Sequence, residues 1–326
     1  MGGPSSFQQK FAAGLAGRGV DVCFDLTATP FDAVLVNGGT RHLDALWHTK
    51  RRGVRIVQRL DGINWLQRHR RTTPRHFLRA EINNLLLALI RGRLSDRVIY
   101  QSQFVRRWWK DWYGEVGIPG EVIYNAVDLR VYSPAASPGQ PSNRCRLLLV
   151  EGSLAGIQDV GLNWGVQLAE ALSQEYHLAV ELVVAGRVDT SLQDALVSGA
   201  RIPIEFLGVV SAEKIPQIDR SADLYFSAEL NPPCPNSVIE ALACGLPVIG
   251  FETGSLSELV TPDAGRLVPF GSDPWKIGTP DILGLAGAAA SVLKDLPRYR
   301  RGARARAESA FALERMVERY TAVLLD

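Results

Sequence analysis

Between Asn231 and Gly250 the chain reads NPPCPNSVIEALACGLPVIG, a stiffened loop, a short helix and an apolar strand with one carboxylate close to the helix start. Pro232, Pro233 and Pro235 restrict the approach, Asn236 or Ser237 can cap, Val238–Cys244 carries the helix, and Gly245 followed by Pro247 ends it. The first amides of a helix have no internal acceptor and sit at the positive end of the helix dipole, so they attract phosphate. Glu240, placed in the first turn by this spacing, can accept hydrogen bonds from the vicinal hydroxyls of a ribose just beyond that phosphate. The same residues also fit a purely structural role. Ser237-Val238-Ile239-Glu240 matches the S-x-x-E capping box, in which Glu240 reaches back to its own helix terminus.

Such a window needs a frame to hold it. With 326 residues and 46% apolar content, the chain exceeds what one core usually serves and can fill two. Strand and helix patterns alternate throughout, which implies parallel sheets covered on both faces. In the amino half, strands are expected at Val20–Leu26, Ala33–Asn37, Val54–Leu60, Arg97–Gln101 and Glu121–Tyr124. In the carboxyl half they are expected at Leu147–Glu151, Ala179–Ala185, Ile204–Leu207, Leu224–Ser227 and Pro247–Phe251, with helices near Leu162–Gln174, Ala212–Asp219 and Ser237–Cys244. The Pro/Ser/Gly-rich residues 134–143 read as a linker between an amino domain, 1–135, and a carboxyl domain, 144–305. Residues 306–326 are expected to cross back to the first. The predicted fold class is therefore α/β, two doubly wound parallel-sheet domains facing each other, with ligands beyond the carboxyl ends of the strands. At the amino end, Met1-Gly2-Gly3-Pro4-Ser5-Ser6 opens directly into a helix where a strand normally precedes such a glycine pair. Either Met1 is a late start or truncation, or the sheet lacks a first strand and leaves an edge uncovered.

Net charge is only +2 but unevenly divided, since residues 1–143 hold 20 Lys/Arg against 11 Asp/Glu and the remainder carries the opposite balance. Arg68, Arg70, Arg71, Arg75, Arg79, Arg91 and Arg93 are interleaved with Trp65, Phe77 and the run Leu85–Ile90. A basic, partly apolar surface of this kind suits anionic lipid headgroups, and it equally suits a solvated helix face. Nucleic acid is not expected, because the aromatics form no base-stacking series. No run approaches the ~20 apolar residues of a membrane-spanning helix, and no signal peptide is visible. Cys23, Cys145, Cys234 and Cys244 lack C-x-x-C spacing and metal-type pairing with the five histidines, so no metal is expected and a reduced, cytoplasmic protein follows.

Four segments in order resemble the retaining glycosyltransferases of family 4, the group 1 enzymes with the GT-B fold. Gly2-Gly3 before an amphipathic helix resembles the family's glycine-rich loop, and IYNAVDLRVYSP (123–134) resembles I-x-N-G-V-D-x-x-x-F-x-P. EALACGLPVIG (240–250) is similar to E-A-M-A-C-G-x-P-V-V, and TGSLSELV (253–260) with AGRLV (264–268) is similar to G-G-x-P-E-x-V followed by G-x-L-V.

The resemblance implies sugar transfer from a nucleotide diphosphate sugar to a glycan or lipid-linked acceptor, with retention, in cell-surface polysaccharide or glycolipid synthesis. It implies no cofactor beyond the donor, UDP- or GDP-linked, and a position at the inner face of the membrane. Glu240 would be the second acid of E-x(7)-E and hold the ribose, the amides of Asn236, Ser237 and Val238 would face the distal phosphate, and Gly2-Gly3 would close on the diphosphate. Val209 and Val210 would border the base, and Asp61 would stand where the family presents an acceptor-side polar residue, unless it only caps the turn Asp61-Gly62. The chain departs from the pattern in three places. Pro232 occupies the place of the first acid, and Gly152-Ser153-Leu154 and Gln158-Asp159 stand where the family carries Gly-Arg-Leu and a nearby Lys. Arg187 is the candidate replacement cation, or an ordinary surface arginine. These departures leave open a catalytically degenerate nucleotide-binding paralogue, or a nucleotide-sugar epimerase on the same fold.

Overall fold

The structure is a computed structural model that describes residues 3–28, 30–135, 143–153 and 159–326. Met1, Gly2, most of the expected linker and Leu154–Gln158 lie outside the described residues. Two compact units form, one from residues 1–126 with 313–326 and the other from 127–312.

In the first unit the order is α1 (Gly3–Ala16), β1 (Ala33–Asn37), α2 (Leu43–Arg51), β2 (Arg55–Leu60), α3 (Pro74–Leu89), a single π turn at Ile90–Leu94, β3 (Arg97–Tyr100), α4 (Gln103–Tyr113) and β4 (Gly120–Val122). The four strands are all parallel in the order β1-β2-β3-β4. Their runs, such as Ile56-Val57 and Val98-Ile99, are apolar on both faces because helices cover both. Phe7, Phe11 and Leu15 of α1 pack with Met316, Val317 and Tyr320 of a carboxyl-terminal helix against Val57, Ile99 and Ile123, while Leu46, Ile90 and Leu94 cover Val36 and Ile56. The two helices approach so closely that a Cβ on Gly14 would lie 2.6 Å from Val317 Cγ2.

Val20–Leu26 does not form the expected strand. Alternation stabilises a strand only when a neighbour accepts its hydrogen bonds, and among the described residues β1 pairs only with β2. The segment runs as a loop with Phe24 72% exposed, ending where Asp25 accepts from the Thr27 amide at 2.8 Å.

The second unit contains β5 (Cys145–Ser153), α5 (Asp159–Tyr176), β6 (Val180–Arg187), α6 (Thr190–Gly199), β7 (Ile204–Gly208), α7 (Ile215–Ser221), β8 (Leu224–Phe226), α8 (Asn236–Ala243), β9 (Val248–Phe251), α9 (Leu256–Leu259), β10 (Gly265–Val268), α10 (Ile282–Lys294) and α11 (Leu296–Ala310). The helix that packs on α1 is α12 (Leu313–Leu325), which belongs to the first unit. The six strands are parallel in the order β10-β9-β8-β5-β6-β7. Successive crossovers go one way from β5 to β6 and β7, then the other way from β5 to β8, β9 and β10. The order therefore reverses between β5 and β8, where doubly wound sheets open a crevice at their carboxyl ends. On one face α5 and α10 supply Leu162, Leu168, Leu172, Leu285 and Ala289 to the core, and α8 packs with α7 and α11.

Residues 127–135, assigned with the amino domain from the sequence, are fastened to the second unit instead. The Val127 amide donates to the Phe311 carbonyl at 3.0 Å. Arg304 donates to the carbonyls of Leu129 and Tyr132, and Arg220 to those of Val131 and Ser133. One backbone donor and four backbone acceptors of a segment without its own ladder are satisfied from the second unit, which sets the boundary near Ala126.

Candidate functional site

The window singled out from the sequence sits at this strand-order reversal. Its helix, α8, begins two residues earlier than the S-x-x-E capping box required. Pro235 is the N-cap residue, extended at φ −67° and ψ 123°, and no side chain caps the helix. Asn236, Ser237 and Val238 are therefore the first three helical residues, and Glu240 is the fifth, beyond the first turn. Neither Asn236 nor Ser237 caps, and Glu240 does not close a capping box, because proline's fixed φ and missing amide suit the position in front of the helix. Internal bonding starts with the Ile239 amide on the Pro235 carbonyl at 3.4 Å, so the three preceding amides have no acceptor within the helix.

Glu240 is half-buried on the side of α8 that faces α7 and the segment after β4. The Tyr132 hydroxyl donates to its carboxylate, and burial beside Glu240 and Asp219 pushes the phenol far above its ordinary range. Asp219, on α7, is almost wholly buried, and among the described residues neither carboxyl oxygen has a conventional oxygen or nitrogen partner. Burial first, and the neighbouring Glu240 charge second, raise its pKa well above the usual carboxylate range, with Cys244 and Arg220 opposing. Burial beside Asp219 likewise raises the Cys244 thiol. Glu240 thus belongs to a tyrosine–carboxyl cluster that sets its rotamer.

A second acidic pair stands at the carboxyl end of β5. Burial raises the Glu151 carboxyl to about 8, and the Glu229 charge adds to the shift. The ladder between β5 and β6 slips between Val150 and Ser153, a bulge of the kind that re-aims side chains beside active sites. Gly186 is required opposite it. At φ +151°, a Cβ there would lie 2.0 Å from the Glu151 carbonyl oxygen. Tyr225 on β8 donates to the Val150 carbonyl at 3.1 Å and is hydrogen-bonded by Ser237, which links the bulge to the start of α8. Arg187 is exposed at the end of β6, in register with Ser153, on the strand adjacent to β5. Gln158 lies outside the described residues.

The loop before α8 is held in an uncommon shape. Asn231 is buried with a left-handed backbone at φ +50°, and its Nδ2 has no hydrogen-bond partner among the described residues. Gly254, also left-handed at φ +59°, comes so close that a Cβ would sit 2.4 Å from the Pro232 nitrogen, and the Ser255 amide donates to the Pro232 carbonyl at 2.9 Å. Strain of this kind is kept where surrounding structure over-determines it, commonly at ligand sites. Val209 and Val210 follow the edge strand β7, two strands away from β5, with Val209 exposed.

In the first unit, Asp61 follows β2, where its carbonyl accepts from Trp109 Nε1 at 2.8 Å. Burial raises its carboxyl and the nearby Arg59 charge partly offsets that. Gly3 is the first residue of α1, and Gly2 lies outside the described residues. Arg59, unremarked in the sequence, is a buried polar residue near Asp61. It is buried on β2, donating to Asn37 Oδ1 at 2.9 Å and Asn125 Oδ1 at 2.7 Å, and lies 3.9 Å over the Phe7 ring. Asn125 in turn donates to Gln101 at 3.2 Å. A cation inside the apolar strand RIVQRL was the signal available. A cavity of about 360 Å³ elsewhere in this unit is lined by Arg91, Arg106, Arg107 and Lys110 with Glu115.

Residues 146–294 match the family described as glycosyl transferases group 1. This segment is similar to group 1 glycosyltransferase domains. It spans β5 through α10 and therefore contains the β5–β8 crevice, α8 and both acidic pairs. Solved structures of the same fold cover most of the chain. Anabaena Alr3699/HepE in complex with UDP and glucose is 19% identical over 99% of this chain and 96% of that one, with a TM-score of 0.70. Sucrose-phosphate synthase from Thermosynechococcus elongatus is 17% identical over 86% of this chain and 70% of its own, with a TM-score of 0.65. The pneumococcal O-GlcNAc transferase GtfA in complex with UDP and GlcNAc is 14% identical over 90% of this chain and 56% of its own, with a TM-score of 0.61. The two parallel sheets are those of the GT-B fold. No curated protein sequence matches the chain.

Proposed function

We propose that the chain transfers a sugar from a nucleotide diphosphate sugar to a glycan or lipid-linked acceptor, with retention at the anomeric carbon and no metal or further cofactor. The observation that carries this is the start of α8, three open amides and Glu240 placed together at the β5–β8 reversal. The amides of Asn236, Ser237 and Val238 take the distal phosphate, Glu240 takes the ribose hydroxyls, and Val209 and Val210 border the base. Arg187 faces the leaving diphosphate, Gly2 and Gly3 serve diphosphate binding, and Asp61 serves the acceptor. UDP is favoured over GDP because HepE and GtfA, which share the fold, were solved with UDP.

In the reaction, the bond from the anomeric carbon to the phosphate oxygen breaks, and the acceptor oxygen bonds to that carbon on the same face. The acceptor proton passes to the departing phosphate, so no protein nucleophile is needed. Catalysis rests on orientation and electrostatic stabilisation. The setting is cell-surface polysaccharide or glycolipid synthesis, on the cytoplasmic side and peripheral to the membrane.

Titration calorimetry with UDP and GDP tests the site. Glu240→Ala is expected to weaken UDP binding by at least tenfold, the equivalent of one or two lost charge-assisted hydrogen bonds at about 1.5–3 kcal/mol each. Unchanged affinity removes Glu240 from the donor site. Pro232 in place of the first motif acid favours a second reading, a degenerate paralogue that binds nucleotide without turnover. Assays with a panel of UDP- and GDP-sugars separate the two, and conversion of donor without any acceptor would identify an epimerase instead.

A further inference from the structure

The outward face of α3 is apolar where a helix on a water-exposed surface should be polar. Leu78, Ile82, Leu85 and Leu89 recur at steps of four, three and four, which places them on one stripe, and they are 60%, 47%, 59% and 44% exposed. The stripe runs about 16 Å at 1.5 Å per residue. It cannot rotate inward. Ala80, Asn84 and Leu87 hold the opposite face in the unit, and Asn84 exchanges hydrogen bonds with Asn64 at 2.8 and 2.9 Å. Arg71, Arg75, Arg79 and Arg93 are exposed beside or just beyond the stripe. The one acid on α3, Glu81, is paired with Arg68 at 2.6 Å, so the helix presents an apolar ridge rimmed with positive charge.

We propose that this face of α3 is a membrane-docking surface, in which Leu78, Ile82, Leu85 and Leu89 enter the headgroup–acyl boundary of an anionic bilayer while Arg71, Arg75 and Arg79 meet its phosphates. The charge decides between occupants. Two copies apposed through this ridge would bring like-charged arginine rims together, whereas an anionic surface neutralises them. The proposal rests on the membrane-side placement given above but not on the donor site. Its test contains no nucleotide or sugar, so either can fail alone.

The full chain is sedimented with vesicles of phosphatidylcholine alone or mixed equally with phosphatidylglycerol, at low and high salt. Binding is expected only to the anionic vesicles, weakening as salt rises. Leu78→Glu/Leu85→Glu should lower the partition coefficient at least tenfold, and Arg75→Gln/Arg79→Gln several-fold with a flatter salt dependence. Val197→Glu, an equally exposed apolar position on α6, should change nothing. Leu85→Trp keeps the ridge apolar and should blue-shift in emission on adding anionic vesicles. Three results would overturn the assignment: no preference of the unaltered chain for anionic vesicles, a folded Leu78→Glu/Leu85→Glu variant that binds as well, or a dimer in solution that this variant dissolves.

Discussion

Replacing Glu151 by glutamine removes a titratable proton from the carboxyl end of β5 while keeping the side chain's shape. The folded chain holds that proton up to about pH 8, against 4.5 for a solvated glutamate. At 1.36 kcal/mol for each pH unit of displacement, the full difference is about 5 kcal/mol. Relaxation and water entry on ionisation reduce this, and we expect roughly half in practice. The sign follows from linkage. Because the folded pKa is raised, the contribution is fully present below about pH 4.5 and is lost as pH rises through about 8. Urea denaturation of the unaltered chain and Glu151→Gln at pH 5, 7 and 9 reads it directly. The two should agree in stability at pH 5, and the variant should be the more stable by about 2–3 kcal/mol at pH 9. Titrating groups other than the interacting Glu229 cancel in the difference. Parallel stability–pH curves would refute the claim that Glu151 is held neutral.

Arg59→Met is expected to destabilise the first unit by about 3–5 kcal/mol, because it removes the buried guanidinium that donates to Asn37 and Asn125 and lies over Phe7; chemical denaturation measures it. Gly254→Ala forces either a strained left-handed alanine or a shift of Pro232, and should lower UDP affinity more than tenfold in calorimetry while most of the secondary-structure signal is kept. Asp219→Asn removes a buried carboxyl whose pKa burial raises well above the usual carboxylate range, so it should flatten the loss of stability as pH rises, read by denaturation across a pH series.

The sheets were largely legible because their strands are runs of apolar residues bounded by turn residues, as in Arg55–Leu60 and Cys145–Ser153. Val20–Leu26 has the same local pattern and failed because pairing is non-local: a strand needs a neighbour, and no window of seven residues reports whether one is there. The α8 site was legible as a helix start but off by one or two residues at its cap, since Pro235 takes the N-cap position with no side-chain oxygen to offer. Asp219, Tyr132 and Glu151 were invisible. They are 21, 108 and 89 residues from Glu240 in the sequence, and what makes them matter is shared burial that only the packed fold creates.

The departures from the family pattern and the displaced carboxyl belong to one electrostatic account. A diphosphate bound at the start of α8 would meet amides and the exposed Arg187, with serine at the described one of the two positions where the family carries cations. An ionised Glu151 beside Glu229 would place two negative charges at the same end of the sheet, and at an effective dielectric near 20 each charge pair at 4 Å costs about 4 kcal/mol. Holding Glu151 neutral removes one of them and turns it from a repelling anion into a hydrogen-bond donor. A site poor in cations can in this way accept an anion at neutral pH, and its affinity for a nucleoside diphosphate should fall as pH rises through about 8. Glu151→Gln should abolish that fall without changing affinity at pH 6. A pH-independent affinity in the unaltered chain would separate the Glu151 pair from the donor site.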